Sequence, residues 1–149
     1  MLHVLPKISL LLLSLLIYEL DGREAVSNTK YACNAGYAID TDKHPVCKVG
    51  YPQTKKYKCS PESCKGDDGI PDLGREGDRA PFVRMDSCQL ITSNGGTDGG
   101  DLEEDCLQYD FDEAQRNFNC GTSDLTSYAC YESPFSIKPI VCTDCKIMK

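Results

Sequence analysis

Polar and apolar residues alternate in short bursts along most of this chain. Tyr31–Ala38, Pro45–Tyr51, Lys56–Cys59, Phe82–Met85, Cys88–Thr92, Ser127–Glu132 and Ser136–Cys142 carry β-branched or aromatic residues between Gly, Pro or Asp boundaries. Such bursts predict short strands. Helical spacing is rarer. Asp101 with Glu104 three residues on is capping-box-like, and Leu102, Cys106 and Tyr109 follow at helical intervals, so one short helix is predicted there. The alternation Leu107, Tyr109, Phe111 competes for a strand over the same stretch. A second short helix is predicted from Asp112 through Arg116. Residues 65–105 contain KGDDGIPDLGREGDRAP and SNGGTDGGDLEED, where Gly and Asp supply turns rather than core. They predict long loops, anchored midway by Cys88.

The one long apolar run is Ile8–Ile17, 10 residues behind Lys7. It is too short to span a bilayer, and Glu19, Asp21 and Glu24 follow at once, which is the form of a secretory signal peptide. Residues 1–22 are assigned to it. The start of the mature chain falls between Arg23 and Asn28, with Arg23 favoured and cleavage after Ser27 as the alternative. Residues 23–149 then form one disulfide-stapled domain with a loop-rich middle, and no membrane association is expected after cleavage.

A second pattern repeats: an aromatic residue, one spacer, then cysteine. It occurs at Tyr31-Ala32-Cys33, Tyr57-Lys58-Cys59, Phe118-Asn119-Cys120 and Tyr128-Ala129-Cys130. In a strand, residues i and i+2 share a face, so each ring can shelter the neighbouring sulfur from water. Both cysteine clusters carry the motif, but their intercysteine spacings do not match, which argues against an internal duplication.

All ten cysteines follow the leader: Cys33, Cys47, Cys59, Cys64, Cys88, Cys106, Cys120, Cys130, Cys142 and Cys145. An even number in an exported chain predicts disulfides throughout. They make up roughly 8% of residues 23–149, near the density of a disulfide scaffold. Ten cysteines pair in about 945 ways, so connectivity stays open. Trp is absent and large aliphatics are sparse after the leader, so the core is small and the bridges are needed to fold. The expected class is a small disulfide-rich, β-rich (α+β) single domain with long Gly/Asp loops and one or two short helices.

Net charge is −7, and removing Lys7, Glu19 and Asp21 with the leader leaves −6. Lys43, Lys48, Lys55, Lys56, Lys58 and Lys65 make residues 43–65 basic, whereas residues 98–113 hold eight acids and no Lys or Arg. Lys55, Lys56 and Lys58 are candidate partner contacts. The acidic balance disfavours nucleic acid.

Catalytic and metal chemistry is thinly supplied. Cys142 and Cys145 have C-x-x-C spacing, and a zinc site would need a second pair such as Cys59 and Cys64, but oxidising conditions favour bridges. Asn94–Asp105 fails the EF-hand pattern at Gly96 and Asp105, which leaves a flexible acidic loop. His44 is the one histidine after the leader; a ribonuclease-type set would have to join it to Arg84 and Glu104, and no motif supports that. No catalytic residue, metal ligand or cofactor is expected, and the chain is read as a non-enzyme.

The leader, the acidic body, the even set of cysteines and the stretches YACNAGYAIDTDKHPVCKV and YKCSPESC resemble the small secreted cysteine-rich proteins of plant-pathogenic fungi, rust fungi most of all. Tyr31-Ala32-Cys33 also resembles the Tyr/Phe/Trp-x-Cys motif of mildew effector candidates. Many of those have a ribonuclease-like fold without catalytic residues, but this chain has more cysteines than they do. The resemblance implies a monomeric virulence effector that leaves the fungal cell, reaches the host apoplast or host cell, and binds a host protein or cell-wall component. Two alternatives stand beside it: an inhibitor of a secreted protease or glycosidase, using Ser60–Ser63 between Cys59 and Cys64, and an inactive ribonuclease-like protein.

Overall fold

A computed structural model describes residues 29–66 and 80–149. The proposed leader and cleavage sites lie outside the described residues, as do residues 67–79 of the Gly/Asp-rich middle; most of the rest of that middle is strand rather than the expected loop. Twelve strands follow one another among the described residues: β1 Tyr31–Ala32, β2 Gly36–Ile39, β3 Pro45–Val49, β4 Lys55–Cys59, β5 Cys64–Lys65, β6 Val83–Ile91, β7 Thr97–Cys106, β8 Gln108–Asp112, β9 Asn117–Gly121, β10 Ser127–Cys130, β11 Val141–Cys142 and β12 Cys145–Ile147. Nine of them form one antiparallel sheet in the order β12-β4-β3-β2-β8-β9-β10-β6-β7, and the remaining three form a small sheet, β1-β11-β5.

Eight of the nine strands of the large sheet form two matching halves that meet where Tyr37 of β2 pairs with Tyr109 of β8, and the edge strand β7 has no counterpart. On each side the register is the same. Tyr37 faces Cys47 and Tyr109 faces Cys120; Cys47 faces Tyr57 and Cys120 faces Tyr128; Cys59 faces Cys145 and Cys130 faces Cys88. The turns match too. Asp40 Oδ1 accepts from the N–H groups of Asp42 and His44, and Asp112 Oδ1 accepts from those of Ala114 and Gln115. Lys43 and Arg116 close these turns at φ 63° and 53°. Duplication of pattern is therefore present, contrary to the expectation from spacing. Cys33–Cys47 and Cys106–Cys120 do share a separation of 14. The later spacings diverge because the second hairpin of each half differs in length. The fourth strand is also permuted: β12 closes the chain, whereas its counterpart β6 precedes β8.

Strand parity divides the sheet into a polar face and a buried one. Tyr37, Cys47, Cys59, Tyr109, Phe118, Cys120, Cys130 and Cys88 turn inward, where Cys33, Val83, Met85, Ile137, Ile140 and Cys142 complete one core. Tyr31, Tyr57 and Tyr128 pack on its rim, so the rings of the aromatic-x-Cys motif do cover the sulfur-rich interior. All ten cysteines are paired: Cys33–Cys47, Cys59–Cys145, Cys64–Cys142, Cys88–Cys130 and Cys106–Cys120. Four of the five bridges fall into matched couples, with Cα–Cα distances of 5.0 and 5.3 Å, then 4.0 and 3.9 Å. Tyr109 ties the sheets together. Its buried hydroxyl donates to the Cys33 carbonyl at 2.8 Å and accepts from the Ile140 N–H at 3.1 Å.

The β-rich, disulfide-stapled class is as expected, but the helices fall elsewhere. Residues 101–106 and 108–109 are strand rather than helix, because pairing of the first with β6 and of the second with β9 overrides the local capping signal. Asp112 does cap backbone N–H groups, yet Arg116 then turns the chain into β9. The sole helical turn among the described residues is a 3-10 turn at Pro61–Ser63.

Candidate binding face

The polar face of the large sheet is where the basic segment ends up. Lys48 of β3, Lys56 and Lys58 of β4, and Lys146 of β12 lie on adjacent strands, with Lys48 opposite Lys56 and Lys58 opposite Lys146. Of the three lysines singled out in the sequence, Lys56 and Lys58 share this face. Lys55 has the opposite parity, so its side chain leaves from the other side. Lys146 was missed; only its pairing across the sheet, after a long excursion of the chain, brings it beside Lys58.

Acids neutralise part of this charge. Lys48 Nζ lies 2.6 Å from Asp110 Oδ1, and the pair crosses above Gly36, where a Cβ would meet both side chains. Lys58 Nζ lies 3.4 Å from Asp40 and 4.0 Å from Asp42. The His44 N–H and then the Lys58 ammonium hold the Asp40 carboxyl below its usual range. Lys56 and Lys146 form no ion pair among the described residues.

A cleft of about 190 Å³ opens beside Lys56. The rings of Tyr51 and Phe111 meet edge to face there, 5.2 Å between centroids, and Phe135, 74% exposed, stands 6.0 Å from Tyr51. These are the outer members of a row of rings that continues inward through Phe118 and Tyr109 to Tyr37. Lys48, Lys56, Asp110 and Glu113 edge the cleft.

Other candidates separate. His44 lies at the β2–β3 turn, whereas Arg84 and Glu104 sit on β6 and β7; β3 and β6 are five strand positions apart, so a ribonuclease-type set is not assembled from them. Arg84 instead pairs with Asp105 at 3.0 Å. The zinc-type set Cys59, Cys64, Cys142 and Cys145 does converge, but as two disulfides that link the two C-x-x-C cysteines to different partners. The acidic stretch of residues 97–106 is the edge strand β7 rather than a free loop; its charges suit an exposed edge, where they discourage pairing with other chains. Ser60–Ser63 is clamped between Cys59–Cys145 and Cys64–Cys142. The Ser60 N–H donates to the Asp144 carbonyl at 2.9 Å, and the Thr143 N–H to the Ser63 carbonyl at 3.2 Å.

Among the described residues no helix is long and apolar enough to cross a membrane. No protein family matches the chain, and neither a curated protein nor a solved structure matches it.

Proposed function

We propose that this chain is a secreted, disulfide-stapled binding protein, an effector-like candidate of the plant-pathogenic fungal kind, that engages a host protein or cell-wall component through its lysine-bearing face. One observation carries this reading. Lys48, Lys56, Lys58 and Lys146 correspond across the two halves to Gly121, Ser127, Ala129 and Gln89. The inward cysteines and tyrosines are alike in both halves, so the scaffold folds around them without needing lysine outside. Lys56 and Lys146, which form no ion pair among the described residues, are left to serve binding, with Lys48 and Lys58 beside them in ion pairs.

The test is chemical cross-linking of the oxidised protein to host apoplastic extract, with K56E/K58E/K146E beside it. Partner capture is expected to fall sharply in that variant and to persist in K65E, which changes a lysine on the small sheet. Capture that ignores the reversal, or no partner together with turnover in a hydrolase screen, contradicts the proposal. Export is tested separately by fusing residues 1–22 to a reporter; retention in the producing cell would contradict it.

The double clamp on Ser60–Ser63 favours inhibition as a second reading, since a pre-ordered exposed segment loses little entropy on binding. Glu62→Ala should then weaken inhibition of a secreted protease or glycosidase, and the absence of inhibition across both classes removes this reading.

A further inference from the structure

We infer that the cleft between Tyr51 and Phe111 is a carbohydrate subsite that seats one ring of a neutral oligosaccharide. This names a ligand class for the Lys56 end of the binding face and rests on the reading of that face as a binding surface.

Four features point to a sugar. First, the charged groups at the rim balance: Lys48 and Lys56 against Asp110 and Glu113, with Lys56 and Glu113 unpaired among the described residues. An anionic or cationic ligand gains nothing net, whereas a neutral polyol finds donors and acceptors side by side. Second, the aromatic wall offers the apolar surface that the C–H face of a pyranose can cover, while its hydroxyl rim reaches the charged groups. The exposed ring of Phe135 extends that wall by one more contact.

Third, Lys48, Lys56, Asp110 and Phe111 belong to β3, β4 and β8, all interior strands. Their backbone groups are spent on neighbouring strands, so an extended peptide has no edge to join here. On the strand side of the cleft a ligand is read by side chains. At about 190 Å³ the cleft is below the roughly 300–1,000 Å³ of a drug-sized site, which suits one unit of a chain that runs on across the face.

Fourth, the molecule contains its own control. Across the symmetry of the sheet lies a depression of about 200 Å³ that shares Asp110 with the cleft and is otherwise lined by Tyr37, Tyr109, Ala38, Gln108, Gly121 and Ser127, with no lysine. There Gly121 and Ser127 stand where Lys48 and Lys56 stand in the first half. The sheet makes the dent twice; Lys48 and Lys56 equip only one of the two.

The experiment is a titration of the oxidised, isotope-labelled protein with cellotetraose, mannotetraose and tetragalacturonate, read from backbone amide resonances. A neutral tetrasaccharide is expected to shift the amides of Tyr51, Thr54, Lys56 and Phe111 saturably and to leave those of Gly121 and Ser127 in place. Tyr51→Ala should weaken that binding about tenfold. Lys56→Gln and Glu113→Gln, both at the surface and expected to fold normally, should each weaken it several-fold. No saturable shift with either neutral probe overturns the inference, as does binding of tetragalacturonate alone with loss in salt, or equal shifts at both depressions. If neutral sugars fail while cross-linking captures a host protein at Lys56 and Lys146, the sugar subsite is wrong and the binding face stands; if both fail, both fall.

Discussion

Removing the bridge Cys59–Cys145 should cost much less than its span implies. The bridge closes 86 residues and Cys64–Cys142 closes 78. Cys88–Cys130 already short-circuits 42 of these, so the effective loops are the differences, 44 and 36 residues. Closing a loop of that size restricts the unfolded chain by about 4 kcal/mol. The two bridges are nested, however. With one in place, the other closes only the 8 residues by which 86 exceeds 78, worth about 2.5 kcal/mol. C59A/C145A and C64A/C142A should therefore each lose about 2.5 kcal/mol, and the variant lacking all four cysteines about 6.5 kcal/mol. The excess of about 1.5 kcal/mol over the sum is the coupling between the bridges. The assay is equilibrium urea unfolding of all four proteins, with sulfate added equally to keep the weakest in range. Pair variants that each lose about 4 kcal/mol, with effects that simply add, would refute the nested arrangement.

Tyr109→Phe leaves the Cys33 carbonyl and the Ile140 N–H buried without their shared partner, and should lower stability by about 2 kcal/mol with an unchanged denaturant slope. Burial pushes the Tyr37 hydroxyl up to about 12 and raises that of Tyr109 as well. Both stay neutral in the folded chain after the unfolded chain has begun to ionise. Their contribution is thus complete below the ordinary tyrosine value of 10.0 and is lost as pH rises from there through about 12. A melting temperature that holds up to that threshold and falls above it, together with a delayed rise in tyrosinate absorbance, checks this. Gly66→Ala would drive a Cβ into the backbone N and O of Phe82, with no flexible side chain to give way; a loss of about 3 kcal/mol or failure to fold is expected, while Lys65→Ala next to it should be neutral.

Several elements were readable because their signal is local. Lys55–Cys59 alternates inward Tyr57 and Cys59 with outward Lys56 and Lys58, Pro45–Val49 and Ser127–Cys130 place Cys47 or Tyr128 and Cys130 inward, and each forms the strand its pattern predicts. The strand β7 was hidden for the opposite reason. It is an edge, nearly all exposed, so its composition of Gly, Asp and Glu answers to solvent rather than to a core, and only pairing with β6 makes it a strand. The short β12 depends in the same way on β4, from which it is separated by most of the chain. The candidate face was half visible: Lys56 and Lys58 could be named, but parity removes Lys55 and topology adds Lys146. The cleft was out of reach because Tyr51, Phe111 and Phe135 converge from segments with no shared motif.

Five specified bridges lock a scaffold of two matching halves, and peptide mapping of the native protein under non-reducing conditions checks each of them. Proteolysis should release the linked pairs Cys33–Cys47, Cys106–Cys120, Cys88–Cys130, Cys59–Cys145 and Cys64–Cys142, with no thiol left to alkylate. A Cys142–Cys145 link, a bridge between the two central hairpins such as Cys47–Cys120, or free thiols in the folded chain would contradict it.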